Sequence, residues 1–127
     1  GEKMVAESHE CVTILFSDIV GFTSMSAEVS TAELFEMLNR MYTTFDELAD
    51  EHGVYKVDTI GDAYMIAAGH EERSKSDHHL RMLSMAKDML KATQLMVAPN
   101  GSNVRIRIGM HTGPAFAGVV GVKCPKY

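Results

Sequence analysis

Gly61-Asp62 sits between two strand-like runs, Val54-Tyr-Lys-Val-Asp-Thr-Ile60 and Ala63-Tyr-Met-Ile-Ala-Ala68. A Gly-Asp connection of two residues leaves the chain no room to cross over, so the flanking strands must pair antiparallel as a hairpin. That turn limits how everything before and after it can be arranged. Upstream, Cys11-Val-Thr-Ile-Leu-Phe16 is short, apolar and rich in β-branched residues, and it ends at Ser17-Asp18 with Gly21 soon after. This pattern predicts a buried strand running into a turn. Ser30-Thr-Ala-Glu33 has capping-box spacing, and Leu34, Leu38, Met41, Tyr42, Phe45, Leu48 and Ala49 follow at helical spacing to a stop at His52-Gly53. Downstream, polar residues 70–79 lead into a second helix, where Leu83, Ala86, Leu90 and Thr93, with Met82, Met89 and Met96, form a core-facing stripe ending before Pro99-Asn-Gly101. Val104, Ile106, Ile108 and Met110 then alternate with Arg105, Arg107 and Gly109, and Gly113-Pro114 turns the chain into Ala115 to Val122 as a further hairpin.

The order is β-α-β-β-α-β with one more strand, an α+β chain with a ferredoxin-like split βαβ core and an extra hairpin strand. The helical crossover makes the first and second strands parallel, and the hairpin brings the third back between them, antiparallel to the first. Asp62, which opens the third strand, is thereby expected beside Asp18, which closes the first. At 127 residues the chain has the size of one domain, and no repeat or long linker divides it. Residues 1–10 read as a polar lead-in, neither signal nor transit peptide, and no apolar run reaches the roughly 18 residues of a membrane span. With 17 acidic against 12 basic residues and a net charge of -5, a surface that captures nucleic acid by neutralising phosphates is disfavoured. Cys11 and Cys124 show neither CxxC nor zinc-ligand spacing, so a reducing, cytoplasmic setting is expected.

Two carboxylates converging at a sheet edge repel each other unless a cation lies between them. Two hard oxygen ligands suit Mg2+ or Mn2+, which keep waters and take further ligands from phosphate. Beside Asp18, the turn Ile19-Val-Gly-Phe-Thr23 offers backbone N–H groups that can cradle phosphates. Together these features point to phosphoryl or nucleotidyl transfer with two metals. The competing reading makes each aspartate ordinary turn chemistry in a ferredoxin-like ligand-binding or palm-type domain. Lys56 reads as a strand-edge charge. His78-His79 and His111 lack metal-ligand spacing and read as structural or solvated, and the ten methionines read as adaptable packing. Gly118 and Gly121 are too sparse for a Walker A loop.

Phe16-Ser-Asp-Ile-Val-Gly-Phe-Thr23, Tyr55-Lys-Val-Asp-Thr-Ile-Gly-Asp-Ala-Tyr-Met65 and Arg107-Ile-Gly-Met-His-Thr-Gly-Pro114 together resemble the class III nucleotidyl cyclases, most of all eukaryotic guanylyl cyclase catalytic domains. The resemblance runs from about residue 11 to Tyr127. It implies conversion of GTP to 3′,5′-cyclic GMP and pyrophosphate, the ribose 3′-hydroxyl attacking the α-phosphorus. By the same resemblance Asp18 and Asp62 are catalytic and hold two Mg2+ or Mn2+, with the Ile19 carbonyl as an extra ligand. The backbone from Ile19 through Val20, Gly21 and Phe22 to Thr23 would bind the β and γ phosphates, and Lys123 falls where relatives set a basic residue against the triphosphate. The purine-reading position falls on Asp58, where guanylyl cyclases usually carry Glu and adenylyl cyclases Lys. A carboxylate accepts from guanine N1–H and N2–H but repels the adenine N1 acceptor, and Asp must approach about 1.5 Å closer than Glu to do so. The resemblance further implies a homodimer, or a heterodimer with a related cyclase domain, with active sites shared between subunits and no direct membrane contact by this chain. Residues 11–127 then match the N-terminal two-thirds of such a domain and lack its later transition-state residues, so the isolated chain is expected to be inactive or nearly so. The alternatives within the family are an adenylyl cyclase and a non-catalytic, cyclase-like dimerisation or regulatory module.

Overall fold

A computed structural model of the chain describes residues 12–68 and 78–113. Its elements are β1 (Val12–Ile19), α1 (Phe22–Glu28), α2 (Thr31–His52), β2 (Tyr55–Ile60), β3 (Ala63–Ala68), α3 (His78–Gln94) and β4 (Ile106–Gly113). The four strands form one sheet in the order β2-β3-β1-β4, and each neighbouring pair is antiparallel. β3 therefore lies between β1 and β2, as the hairpin and the helical crossover require. The extra strand expected over 115–122, Lys123 and both cysteines lie outside the described residues.

The helix predicted from Ser30 forms as read. The Ser30 hydroxyl accepts from the Glu33 amide while the Glu33 carboxylate accepts from the Ser30 amide, and Gly53 closes the helix in a left-handed conformation. Gly61 takes φ +62 in the β2–β3 turn, a conformation that costs an L side chain about 1–2 kcal/mol and glycine nothing. Two expectations need correction. β1 runs on through Asp18 to Ile19, because β4 supplies partners there: Asp18 pairs with Arg107 and Ile19 with Ile106. The polar segment after Gly21 is also not merely a turn but α1, a helix of 7 residues that buries only Met25. So short a helix, with no side-chain cap, leaves almost no periodic signal.

The core lies between the three helices and one face of the sheet, built around Tyr64, Phe45, Leu15 and Ile66 with Met37, Met41, Met82, Met85 and Met89. Methionine fills this interior, as its flexible thioether allows. In α3 the buried stripe is Met82, Met85, Ala86, Met89 and Thr93, whereas Leu83 and Leu90, expected inside, are 49% and 43% exposed. One residue along a helix is a rotation of about 100°, so the face that wins excludes the leucines. Arg81 donates to the Gly53 carbonyl at 2.7 Å and His52 bonds Asp88 at 2.8 Å, which ties the end of α2 to α3.

On the opposite face of the sheet Val12, Ile14 and Ala67 form a second cluster with Val57 and Met65, to which no described helix contributes. β2 joins this face irregularly. Lys56 opposes Ile66 while Asp58 opposes Met65, so Val57 is an extra residue in the ladder, a β-bulge. Strict alternation would set Lys56 and Asp58 on one face. The bulge separates them: Lys56 lies on the helix side, 3.2 Å from Asp46 Oδ2, and Asp58 turns to the open side.

Candidate active site

β1 alternates Val12, Ile14, Phe16 and Asp18 towards the open face, and the β1–β4 register sets Arg107 directly opposite Asp18. The Arg107 Nε donates to Asp18 Oδ1 at 2.9 Å, with both side chains largely solvated. The β1–β3 pairing aligns Ser17 with Tyr64, which leaves Asp62 two residues beyond at the mouth of the hairpin, level with the end of β1. Asp62 Oδ2 accepts from the Ile19 amide at 2.8 Å. The two aspartates thus meet at one end of the sheet through the residue next to Asp18, as the topology predicts.

Each carboxylate keeps one oxygen that could ligate a cation. Among the described residues, the other oxygen of each carboxylate takes no hydrogen bond. The guanidinium of Arg107 is the positive charge that balances the pair, its pKa raised by the hydrogen bond to Asp18, then by the charge of Asp18 and, more weakly, of Asp62. Two carboxylates are too few to enclose a metal, and no cluster of three or more His, Cys, Asp or Glu gathers among the described residues. That donor set suits a hard cation that completes its shell from phosphate oxygens and water, the habit of Mg2+ and Mn2+. Arg107 is the functional neighbour that sequence reasoning missed. Its strand was legible, but the register against β1 that aims it at Asp18 was not.

The expected phosphate turn is narrower in donors than its sequence suggests. The Ile19 amide is spent on Asp62 and the Val20 amide donates to the Arg105 carbonyl at 2.8 Å. Gly21 then takes φ +73, which reverses the chain into α1. The first bond from α1 back to this turn runs from the Met25 amide to the Gly21 carbonyl, and no side chain caps the helix, so the amides from Gly21 to Thr23 are the donors this turn presents. Behind them a cleft of about 190 Å³ separates α1 from the 98–105 connection, bridged by the bond of Asn100 to Glu28 at 2.9 Å.

Asp58 is not gathered with the other two aspartates. It lies on β2, two strands across and about two residues along from Asp18, roughly 12 Å away at ordinary strand spacing. It is exposed on the open face, where its Oδ1 accepts from the Thr59 amide at 2.8 Å. Tyr42, on α2, reaches the carbonyls on both sides of Asp62: its hydroxyl donates to Gly61 and approaches the Ala63 carbonyl at 3.4 Å. Burial, and then the charge of Asp62, push its pKa up to about 12. Lys123 lies outside the described residues, and no helix among those described is long and apolar enough to cross a membrane.

Comparison with known proteins follows the same lines. The family model described as adenylate and guanylate cyclase catalytic domain matches residues 4–127. The membrane guanylyl cyclase of Dictyostelium discoideum is 45% identical over 127 residues, 100% of this chain but 9% of that protein. The guanylate cyclase domain of RhGC from Catenaria anguillulae, solved in complex with GTP, superposes with a TM-score of 0.76 at 38% identity, over 83% of this chain and 57% of that one. A dimeric guanylyl cyclase domain of the RhoGC fusion protein from Blastocladiella emersonii gives a TM-score of 0.75 at 38% identity, covering 82% of this chain and 58% of that one. The chain spans under two thirds of each of these proteins.

Proposed function

We propose, for a chain that belongs to the adenylate and guanylate cyclase catalytic domain family, that it forms part of a guanylyl cyclase converting GTP to 3′,5′-cyclic GMP and pyrophosphate. The observation that carries this reading is the meeting of Asp18 and Asp62 through the Ile19 amide at the end of β1. In this reading both carboxylates, with the Ile19 carbonyl, hold two divalent cations, Mg2+ or Mn2+. Such cations lower the pKa of a bound hydroxyl and neutralise charge on a triphosphate and its leaving pyrophosphate.

This chain's own groups do the rest. Amides from Gly21 to Thr23 orient the β and γ phosphates, with Lys123 as a further cation on the triphosphate. Arg107, bonded to Asp18 at the same edge, would add its positive charge beside the triphosphate. The ribose 3′-hydroxyl attacks the α-phosphorus and gives up its proton to solvent, forming the cyclic ester as the bond to the pyrophosphate oxygen breaks. Asp58 accepts from guanine N1–H and N2–H and repels the adenine N1 acceptor; the β-bulge that turns it to the open face favours this role. GTP bound to the Catenaria domain supports the same base.

Phe35 and Ile60, 64% and 69% exposed, lie beside the turn that carries Asp62 and suit cover by a second cyclase domain. In this reading residues 11–127 form the N-terminal two-thirds of the domain, on the cytoplasmic side of any membrane. The full-length protein with Mn2+ and GTP is expected to release cyclic GMP, and Asp18→Ala to abolish it. Equal output from both would remove the reading.

A further inference from the structure

Asp62 sits in the most permissive part of the sheet, a two-residue turn entered through a glycine at φ +62. Such a turn, left to itself, samples several orientations of its peptide planes, and a carboxylate carried on it samples them too. A metal ligand must be held within about half an ångström of its productive position. Something has to restrain the turn.

We propose that Tyr42 is a positioning residue for Asp62, its hydroxyl fixing the Gly61–Asp62 peptide unit on which that carboxylate is carried. This rests on the metal-holding role proposed above for Asp62. The Tyr42 hydroxyl lies within reach of the Gly61 carbonyl before Asp62 and the Ala63 carbonyl after it. The Ile19 amide holds the side chain itself at 2.8 Å, so Asp62 is restrained through the peptide before it and through one oxygen. The anchor is rigid in turn. The ring of Tyr42 stacks on Tyr64 with centroids 5.6 Å apart and planes at 22°, and Tyr64 meets Phe45 edge-on at 5.2 Å. The Tyr64 hydroxyl donates to Asp46 Oδ1 at 2.8 Å, and Asp46 Oδ2 accepts from Lys56 on β2 at 3.2 Å. Both strands of the hairpin are therefore tied to α2, and the Tyr42 hydroxyl is the tie that reaches the turn.

Packing does not call for that hydroxyl. A phenylalanine would keep the stack, and the carbonyls at the exposed turn would bond water instead, so the oxygen adds little to stability while removing freedom from Asp62. The two roles separate experimentally. In the full-length protein, Mn2+ binding is followed by the electron paramagnetic resonance of free Mn2+, in the presence of a non-cyclisable GTP analogue, for wild type, Tyr42→Phe, Tyr64→Phe and Asp62→Asn. Urea midpoints and the Mn2+ requirement of cyclic GMP formation are measured alongside.

Asp62→Asn should abolish tight Mn2+ binding. Tyr42→Phe should weaken it about 3- to 10-fold, the worth of one hydrogen bond, and raise the Mn2+ needed for half-maximal activity by the same factor. Tyr64→Phe should lower the urea midpoint at least as much as Tyr42→Phe yet leave Mn2+ affinity as in wild type. Wild-type Mn2+ affinity in Tyr42→Phe beside a defective Asp62→Asn overturns the positioning role alone, as does equal weakening by Tyr64→Phe. Wild-type binding by Asp62→Asn overturns the metal reading and the inference with it.

Discussion

Asp18, Asp58 and Asp62 carry the same carboxylate in three settings, and the settings decide what each can do. Asp18 faces a guanidinium across a strand pair, Asp62 receives a backbone amide, and Asp58 bends to its own neighbour's amide on an exposed strand. Asp58 is the one the proposed function assigns to the base. Replacing it tests this directly: Asp58→Lys sets an ammonium against guanine N1–H and should lower kcat/KM for GTP about 10- to 100-fold, the worth of hydrogen bonds to a charged group, with less effect on ATP. Initial rates on both nucleotides with the full-length protein measure it. A second residue prediction concerns Tyr42. Its pKa rises from 10.0 to about 12 on folding, chiefly through burial, so the unfolded chain loses this proton first as pH rises. The corresponding stability is complete below pH about 10, falls between about 10 and about 12, and is flat above. Tyr64 shifts in the same direction, so the test is a difference: urea midpoints across that window should fall less steeply for Tyr42→Phe than for wild type.

At the level of elements, α3 offers the sharpest contrast between apolar content and apolar placement. Met85 is fully buried and Leu83 is 49% exposed, two residues apart on one helix. Met85→Ala should cost about 2–5 kcal/mol through the cavity it leaves, and Leu83→Ala within about 0.5 kcal/mol, both read from urea denaturation. The stripe was legible as a stripe, but its centre was not, because Met and Leu are nearly interchangeable in hydrophobicity and only the surface they meet selects between them. Where local chemistry decides, the sequence is transparent: Ser30 and Glu33 announce α2, and Gly61-Asp62 announces a hairpin whose second strand begins at Ala63, the residue that follows the turn. The meeting of Asp18 and Asp62 was legible for the same reason, as it follows from strand order alone. The facing of Arg107 and the bulge at Val57 were not. Both are matters of register, settled by how two distant strands slide against each other, and neither leaves a mark in its own segment.

On the scale of the molecule, the helices cover one face of the sheet, and Asp18 and Asp58 both point from the other, about 12 Å apart across two strands. Under the function proposed above, one nucleotide would either span that distance on a single chain or lie between chains, with metals held by one copy and base read by the other. In a two-fold dimer of the second kind each site takes Asp18 and Asp62 from one subunit and Asp58 from its partner. Asp18→Ala should silence both sites of a homodimer and Asp58→Lys should leave each with about a tenth of its activity or less, since every site contains one defective half. Mixing the two variants changes the count. Half the dimers formed from equal amounts are mixed, and each mixed dimer concentrates both defects in one site and leaves the other intact. Cyclic GMP formation should therefore return to about a quarter of the wild-type rate, given free exchange of subunits. If one chain supplies all three aspartates, every site in the mixture keeps a defect and the rate stays at that of the unmixed variants.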